Sequence, residues 1–493
     1  SVGFKLILLR VKMGYAWLIS PISNLSIQYN IQVMAIALAY MDNTKNDPNG
    51  VPAAYKRGDW GPVLDSVFFA GAITGQLVMG YMGDVIGRRR AMLLTNSFTF
   101  FGSLGVALAS WGSPNTVYTI MSVFRVILGI GVGGKYPLAA TMAAESSQPA
   151  QDATPQANKK QSRAKEVAKG FFWQTPGAML PYIIALLILL AFGKEHHGAQ
   201  LRASTDVQFR LLLALGALPA GAVMLLSYFA ADSKEYIEAQ QDQQQTGAGR
   251  VNPLKLAWQN KDLRYKVLGT GLGWCLYDFM YYGVTFVQPS IVSKVFTADD
   301  LFSICWQNIV LSSFGLPAVV TAIMLLEPLG TKRLQVYGFA AVVLLCGVFG
   351  GVYYFIGASD STKWANFVLF GLVIFSLNWG VNVSTFVLPT ECFPPAVRSS
   401  FFGLSAGMGK LGALAGTALF PKISSLPTLM LIGGAVGLVG MLLTHVFVEP
   451  FGSASFCPPS VAEQENVHTD PLLVNSRSGR SHNSVSGSAR EAY

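Results

Sequence analysis

The sequence contains little charge. Aspartate, glutamate, lysine and arginine make up 12% of its 493 residues, whereas a soluble domain carries about 25%. Hydrophobic residues make up 52%, and apolar stretches of membrane-spanning length, at least about 18 residues, recur along the chain. This composition argues against a large soluble protein with apolar core helices. It predicts a polytopic membrane protein.

Cysteine and histidine are also scarce, with five of each. The cysteines form no CxxC pair, and four of the five lie in or beside apolar stretches, which argues against a disulfide framework or a zinc site. Among the histidines only His196 and His197 are neighbours, and adjacent residues do not share a helix face. We therefore expect no metal and no cofactor.

Motifs for several kinds of chemistry are missing as well. The chain has no HExxH, Walker loop or nucleophile elbow, which argues against an ATP-driven pump or a membrane hydrolase, so we do not expect an enzyme. The net charge of +9 is spread over loops and tail, where basic residues set orientation, and it does not predict nucleic-acid binding. No cleavable signal peptide is evident, and Ser1 as first residue is compatible with a trimmed start.

A polar, glutamine-rich segment divides the apolar stretches into two sets of six, as in many secondary transporters. We predict an all-α polytopic membrane protein with twelve transmembrane helices in two six-helix halves. The predicted domains are an N-terminal half at 1–231, a cytoplasmic linker at 232–262, a C-terminal half at 263–449 and a disordered cytoplasmic tail at 450–493. The predicted helices lie near 14–41, 62–82, 91–111, 117–145, 167–192, 209–231, 264–293, 302–326, 335–357, 363–388, 399–421 and 427–448.

Basic residues in four loops indicate the orientation. Arg88, Arg89 and Arg90 lie between predicted helices two and three, and Lys332 and Arg333 lie between helices eight and nine. The central linker and the loop between helices four and five also carry lysine or arginine. By the positive-inside rule these loops and both termini are cytoplasmic. We expect an integral membrane protein of the plasma membrane.

The fourth predicted helix, 117–145, is unusual in its glycines and its charges. Glycine lets helix backbones approach closely in lipid, and this helix contains Gly129, Gly131, Gly133 and Gly134. An ionisable residue at membrane depth needs a partner or a water-filled cavity, and this helix contains Arg125, Lys135 and Glu145. The combination predicts a helix that lines a transport path.

The first predicted helix carries several amides, at Asn24, Gln28, Asn30 and Gln32. Amides inside a membrane span either join helices or face a polar cavity. The sequence leaves both interpretations open. Gln28 and Gln32 share one helix face because they are four residues apart.

The seventh predicted helix presents three polar side chains on one face. Trp274, Asp278 and Tyr282 are spaced by four, so an indole donor, a carboxyl and a phenol point the same way. On the eleventh predicted helix, Lys410 would supply a cation to an oxyanion. An anion inside a bundle of low dielectric needs several donors and a positive charge. The alternative for Trp274 and Tyr282 is helix packing or anchoring at the membrane interface.

The segment 80–90, GYMGDVIGRRR, resembles the loop signature of the major facilitator superfamily, G-x-x-x-D-x-x-G-R-[KR]. A weaker echo, EPLGTKR at 327–333, falls at the corresponding place in the second half, and the segment 389–398 also looks like this superfamily. The resemblance implies that charged pairs at helix ends hold one alternating-access state closed, while the alternative is that they are topological anchors. The residues concerned are Asp84, Arg88, Arg125, Glu145, Glu391 and Arg398.

The segment 131–141, GVGGKYPLAAT, with the glutamate that follows it, resembles the signature of the phosphate:proton symporters of fungi and plants, G-G-D-Y-P-L-S-A-T followed by a glutamate. The resemblance covers the layout of essentially all twelve helices. In that family the signature tyrosine, a glutamine on helix five, a W-x-x-x-D-x-x-x-Y run on helix seven and a lysine in G-K-x-G-A on helix eleven bind phosphate. The residues implied to bind substrate, together with the lysine beside the tyrosine, are Tyr136, Lys135, Gln174, Trp274, Asp278, Tyr282 and Lys410.

Two departures from that family concern proton movement. Lys135 stands where the signature has aspartate, and residues 27–30 read IQYN where the family carries D-x-Y-D. Lys135 could be neutral, or charged and paired with the substrate. The remaining proton-coupling candidate is Asp278, which the resemblance places close to Lys410. The alternative is that Asp278 and Lys410 form a static ion pair that locks two helices.

These observations predict a facilitator that moves inorganic phosphate or a similar small anion by alternating access, coupled to protons. The expected partners are the anion, protons and the lipid bilayer. Two rivals stay open. One is a uniporter or exchanger of another small solute, such as an organophosphate, a sugar or an organic ion. The other is a nutrient receptor that binds without net transport.

Overall fold

The computed structural model describes residues 15–41, 60–109, 113–146, 156–192, 199–233, 236–238, 240–241, 255–256, 259–296, 301–357 and 359–448. Within these ranges the chain is largely helical and contains no strand. The tail predicted at 450–493 and much of the linker predicted at 232–262 lie outside the described residues.

Twelve helical spans follow one another in the described chain, and their number confirms the prediction. Two of them begin well before their predicted starts, α5 at Gln156 and α6 at Ala199, because hydropathy marks only the apolar part of a helix. The spans are α1 (Ile19–Met41), α2 (Trp60–Val85), α3 (Arg88–Leu108), α4 (Pro114–Ser146), α5 (Gln156–Phe172 and Gln174–Phe192), α6 (Ala199–Ala214 and Ala217–Phe229), α7 (Lys261–Phe296), α8 (Leu301–Ser313 and Gly315–Leu329), α9 (Thr331–Ile356), α10 (Lys363–Asn378 and Val381–Cys392), α11 (Arg398–Leu419) and α12 (Leu426–Phe447).

Nine of these spans in the described chain are long and apolar enough to cross a membrane by length and composition alone. The other three are α1, α7 and α11, which carry buried polar side chains such as Asn24, Asp278 and Lys410. Polar groups at membrane depth are costly and are usually functional. The three less apolar helices are therefore the strongest candidates to carry a functional site.

Glycines on α4 bring its backbone against α2. A Cβ atom added to Gly129 would overlap the carbonyl oxygen of Phe68, and one added to Gly133 would overlap the carbonyl oxygen of Ala72. Gly131 faces α3 instead, where a Cβ would meet the backbone nitrogen of Thr99. The expected close approach of helices is present, and it fixes the position of the residues that follow on α4.

Helix α11 lies where the two halves meet. It runs parallel to α7, since a Cβ at Gly412 would meet Cys275 and one at Gly416 would meet Phe279. Its first half packs on α2 of the other half, where a Cβ at Gly403 would overlap the carbonyl oxygen of Gln76. This double packing places the side chains of α11 at the interface between the halves.

The contact between α2 and α4 predicts the effect of Gly133→Ala. The new methyl group has no space beside the backbone of Ala72, so the two helices must separate, at a cost of about 1–3 kcal/mol in folding free energy. We expect a lower thermal midpoint, measured by fluorescence-detected gel filtration of the solubilised protein. Gly347→Ala on α9 is the matched control, because a Cβ there meets nothing within 4 Å. Equal midpoints for the two variants would contradict the packing described.

Candidate functional site

A buried ion pair joins α7 and α11 at the centre of the bundle. The ammonium nitrogen Nζ of Lys410 lies 2.7 Å from Oδ2 of Asp278 and donates to the hydroxyl of Tyr282 at 3.1 Å. All three residues are buried. Asp278 and Tyr282 share a helix face, as their spacing predicted. Opposite charges compensate each other here, which is the condition under which charge is tolerated in a protein interior.

Two tyrosine rings face the same ammonium group. Nζ of Lys410 lies 4.3 Å from the ring centroid of Tyr282 and 4.7 Å from that of Tyr136, and the two hydroxyls are 3.3 Å apart. An ammonium group over an aromatic face is attracted by the ring quadrupole. Tyr136 lies on α4 in the first six helices, whereas Lys410 and Tyr282 lie in the last six. This group of side chains therefore bridges the two halves.

Trp274 completes the arrangement one helical turn before Asp278. Its side chain approaches the Asp278 carboxylate, and its ring lies 6.2 Å from that of Tyr136 and 6.3 Å from that of Phe386. Sequence reasoning missed Phe386, and nothing in its context distinguishes it among 31 phenylalanines. We call Lys410, Asp278, Tyr282, Tyr136 and Trp274 the Lys410 cluster.

The Lys410 cluster places a cation among several donors in a water-poor environment. An ammonium group has three N–H donors, and two partners are already in place here, Asp278 and Tyr282. Electrostatic interactions strengthen at low dielectric. A proton on the Asp278 carboxylate would neutralise the competing charge and leave the ammonium group to an oxyanion.

The structure does not bring Lys135 and Gln174 into this cluster. Nζ of Lys135 donates to the hydroxyl of Ser26 on α1 at 2.7 Å, and Nε2 of Gln174 donates to Oδ1 of Asn24, also on α1, at 2.8 Å. Within the described residues Lys135 forms no ion pair although it is fully buried. Both side chains thus connect their helices to α1.

The amides of α1 serve both roles that the sequence left open. Asn24 joins α1 to α5 by accepting from Gln174, and Nδ2 of Asn30 donates to the carbonyl of Gly216 at the break in α6, at 3.1 Å. Gln28 approaches the Tyr282 hydroxyl instead, and Gln32 lines a polar cavity. Two of these amides therefore join helices, and two face the space between the halves.

A second buried group of charges lies where α2 ends and α3 begins. Arg88 contacts Oδ1 of Asp84 at 2.7 Å and Oε1 of Glu145, at the end of α4, at 2.9 Å. It also donates to the carbonyl of Pro395 in the other half at 2.9 Å. Arg398, the first residue of α11, lies 3.7 Å from Glu145. We call Asp84, Arg88, Glu145 and Arg398 the Arg88 cluster.

Asp84 connects the Arg88 cluster to the N-terminus of α11. Its Oδ2 accepts from the backbone nitrogen of Ser400 at 2.7 Å and from the Ser400 hydroxyl at 2.6 Å. The first N–H groups of a helix have no partner within the helix and favour negative charge. A carboxylate from one half therefore closes this end of the bundle by binding a helix end of the other half.

Comparison with known proteins places the chain in a family. The family described as sugar (and other) transporter matches residues 17–265 and 238–452. The chain belongs to the sugar (and other) transporter family. Among relatives in sequence, the inorganic phosphate transporter PT2 of Toxoplasma gondii is 34% identical over 433 residues, which cover 86% of this chain and 70% of the relative. The probable inorganic phosphate transporter 1-8 of Arabidopsis thaliana is 26% identical over 473 residues, which cover 84% of this chain and 86% of the relative.

Solved structures show that this member of the sugar (and other) transporter family has the major facilitator fold. The proton:xylose symporter XylE, a major facilitator protein, superposes with a TM-score of 0.67 at 21% identity, covering 89% of this chain and 96% of that one. An inward-open form of XylE from E. coli superposes with a TM-score of 0.61. The predicted fold class, with twelve helices in two six-helix halves, is confirmed.

Arg125, which the resemblance grouped with the residues of the Arg88 cluster, lies away from that cluster and pairs with a different carboxylate. Arg125 lies 20 residues before Glu145 on α4, about 30 Å away at 1.5 Å per residue, and pairs with Asp65 of α2 at 3.3 Å. Glu391 lies near the end of α10, seven residues before Arg398. Sequence reasoning missed Asp65, although a carboxylate inside an apolar span was a visible signal.

The weaker match to the loop motif, at 327–333 in the second half, makes a different contact from the motif at 80–90 in the first half. Oε2 of Glu327, at the end of α8, lies 2.9 Å from Nζ of Lys165 on α5, with both side chains partly exposed. Asp84 in the first motif binds the end of a helix, whereas Glu327 binds a lysine side chain. Both carboxylates nevertheless reach across to the other half.

The contacts of Asp84 predict the effect of Asp84→Asn. The substitution weakens charge-assisted hydrogen bonds that are worth about 1.5–3 kcal/mol each. The end of the bundle at the Arg88 cluster should therefore open more often, with about a ten- to hundredfold larger population of the open state. The measurement is the maleimide labelling rate of a cysteine at buried Ser399, in a background whose native cysteines are replaced by serine. Asp360→Asn, at an exposed carboxylate, is the control. An unchanged labelling rate would show that Asp84 does not hold this end closed.

Proposed function

We propose that this chain transports inorganic phosphate across its membrane by alternating access of its two halves. The observation that carries the proposal is the Lys410 cluster, in which an ammonium group, two phenols and an indole converge at the interface between the halves. Relatives named as inorganic phosphate transporters along most of the chain support the choice of substrate. Phosphate would occupy the place beside Lys410.

The charges near the centre suit an anion with one negative charge. Lys410 and Asp278 cancel each other, and Lys135 on the adjacent part of α4 adds an amine that bonds Ser26 and forms no ion pair within the described residues. With Lys135 protonated, two ammonium groups and one carboxylate give a net charge of +1. A monovalent oxyanion would neutralise this excess, and burial of charge is least costly when it is neutralised. Lys135 therefore attracts the anion from a distance. Gln174 would bind the anion after α5 moves away from Asn24.

The Arg88 cluster would act as the barrier at the cytoplasmic end. Its residues join α2 and α4 to α11, and they would separate when the transporter opens inward. This assignment places both termini in the cytoplasm and the opposite end of the bundle outside, with the plasma membrane as the proposed location. Phosphate would then reach the Lys410 cluster from outside while the Arg88 cluster is closed.

Proton coupling is the further part of this proposal, with Asp278 as the proton acceptor. The carboxylate and a substrate anion compete for one ammonium group on α11. A proton on Asp278 ends that competition and strengthens substrate binding. Release of the proton to the other side would restore the ion pair and expel the anion.

Labelled phosphate uptake into proteoliposomes tests the proposed activity. We expect saturable uptake by the wild type and about a ten- to hundredfold loss in Lys410→Ala, because the anion loses a hydrogen bond to a charged group, worth about 1.5–3 kcal/mol. Asp278→Asn should retain binding but lose coupling. Lys422→Ala, at an exposed lysine after α11, is the matched control. Absence of phosphate uptake by the folded wild type would refute the proposal.

The pH dependence of uptake tests the role of Asp278. Acidification of the outer solution should speed phosphate uptake by the wild type, and an uncoupler should abolish accumulation, because the proton neutralises the competitor for Lys410. Asp278→Asn mimics the neutral state, so its uptake rate should respond little to pH. A wild-type rate that depends on neither pH nor uncoupler would indicate uniport or anion exchange.

Competition separates phosphate from the other solutes that this fold can carry. Unlabelled arsenate resembles phosphate in shape and charge and should compete, whereas a neutral sugar should not, because it offers no charge to Lys410. Phosphate binding without flux into the vesicles would point to a receptor. An organophosphate that competes more strongly than phosphate would redefine the substrate as a larger phosphate compound.

A further inference from the structure

A second polar space lies next to the Lys410 cluster but shares no residue with it. It holds about 390 Å³ not filled by protein atoms, a volume that includes open solvent at its mouth. Five helices from both halves line it, namely α1, α5, α7, α8 and α10. Its polar side chains include Gln32, Thr175, Tyr182, Tyr281, Gln288 and Ser312. We call this space the Gln288 cavity.

The Gln288 cavity lies on the far side of the Lys410 cluster from the Arg88 cluster. Helices α7 and α11 run parallel, and both begin at the end where the Arg88 cluster lies. Gln288 is ten residues beyond Asp278 on α7, which is about 15 Å at 1.5 Å per residue. Tyr281 lines the cavity, and its ring lies 5.2 Å from that of Tyr282. A solute that approaches the Lys410 cluster while the Arg88 cluster is closed meets this cavity first.

The orientation of the Gln288 amide follows from a chain of hydrogen bonds. The carbonyl of Ile304 can only accept, so the amide nitrogen of Asn308 must donate to it, at 2.7 Å. The oxygen of Asn308 therefore faces Gln288, whose nitrogen Nε2 donates to it at 2.8 Å. Within the described residues the carbonyl oxygen of Gln288 has no partner, although the residue is buried. Gln288 thus offers the cavity a fixed acceptor.

The rest of the lining is uncharged and combines polar side chains with the apolar Ala178 and Ile374. No lysine, arginine, aspartate or glutamate lines the cavity among the described residues. In the same part of the chain, five lining side chains make no hydrogen bond to protein, so hydroxyls and an amide remain open to a ligand. A hydroxyl can donate or accept. The five are Gln32, Thr175, Tyr182, Tyr281 and Ser312.

A fixed acceptor discriminates among oxyanions by their protons. Dihydrogen phosphate carries two P–OH donors, so it can donate to the oxygen of Gln288 and accept from the surrounding hydroxyls. Sulfate carries no proton at neutral pH, so its oxygens would face the oxygen of Gln288 without a hydrogen bond. A site built to bond a donor rejects the analogue that lacks it, because a buried polar group is then left unpaired.

We propose that the Gln288 cavity is a second oxyanion subsite, which admits dihydrogen phosphate on its way to Lys410 and rejects sulfate through the Gln288 oxygen. The proposal rests on phosphate being the substrate and adds how the anion is selected. Gln288 is the specificity-determining residue, and Asn308 is the positioning residue that holds its amide. The absence of a cation in the lining keeps binding weak enough for the anion to move on.

Sulfate inhibition of labelled phosphate uptake tests this subsite. Gln288→Met keeps the shape of the side chain but removes the acceptor. The ratio of the sulfate inhibition constant to the phosphate KM should therefore fall about tenfold. Asn308→Leu frees the Gln288 amide to turn its nitrogen towards an anion and should shift inhibition in the same direction. Gln335→Met is the matched control, since Gln335 is a buried glutamine that donates to Thr444 away from the cavity.

The outcomes separate this proposal from the proposed transport function. Phosphate uptake by the wild type with unchanged sulfate inhibition in Gln288→Met and Asn308→Leu overturns the subsite and leaves phosphate transport standing. A wild type without phosphate uptake overturns both. Gel filtration monitors the folding of each variant. If Gln288→Met does not fold, sulfate inhibition in Asn308→Leu decides whether the subsite exists. A larger effect in Gln335→Met than in Gln288→Met also counts against the subsite, because it would trace selectivity to general packing.

Discussion

The ion pair of Lys410 and Asp278 shows the constraint under which this bundle is built. A buried charge is tolerated when it is compensated nearby, yet an alternating-access protein must also let its halves separate. Both conditions hold when a buried charge and the opposite charge that compensates it lie in the same half. The tightest buried pairs of the described chain follow this rule, since each lies within a single half: Lys410 with Asp278, Arg88 with Asp84 and Glu145, and Arg125 with Asp65.

The contacts that Tyr136, Asp84 and Glu327 make across the halves are of a kind that can form and break at moderate cost. At the centre, the ring of Tyr136 faces the ammonium group of Lys410 and its hydroxyl contacts that of Tyr282, and no charge is left without its partner if these contacts are lost. At the Arg88 cluster, Asp84 binds the N–H and hydroxyl of Ser400 but keeps Arg88 as a partner in its own half. The half-exposed pair of Lys165 and Glu327 is screened by solvent and contributes little energy.

The sequence predicted the twelve helices because a span needs about 20 apolar residues, and that requirement is visible without any tertiary information. It also predicted the shared face of Asp278 and Tyr282, which depends only on helical periodicity. It could not show that Lys135 would bond Ser26, because this depends on how α1 is rotated and packed against α4. Phe386 was missed for the same reason, since its role follows from the break in α10 at Gly380, whose φ of 63° redirects the second segment.

Under the proposed function, Lys135 would link anion binding to the packing of the first half. Its amine is fully buried and bonds only Ser26 within the described residues, with no carboxylate to compensate it. If the amine is neutral, an approaching anion favours its protonation; if it is charged, the anion supplies the missing opposite charge. An anion near the centre therefore stabilises the contact between α1 and α4 in either state. Because Tyr136 follows Lys135 directly on α4 and touches Lys410, the same anion acts on both halves at once. The reversed charge at this position thus fits the proposed anion carrier, in which it would move part of the attraction for the substrate from the second half to the first.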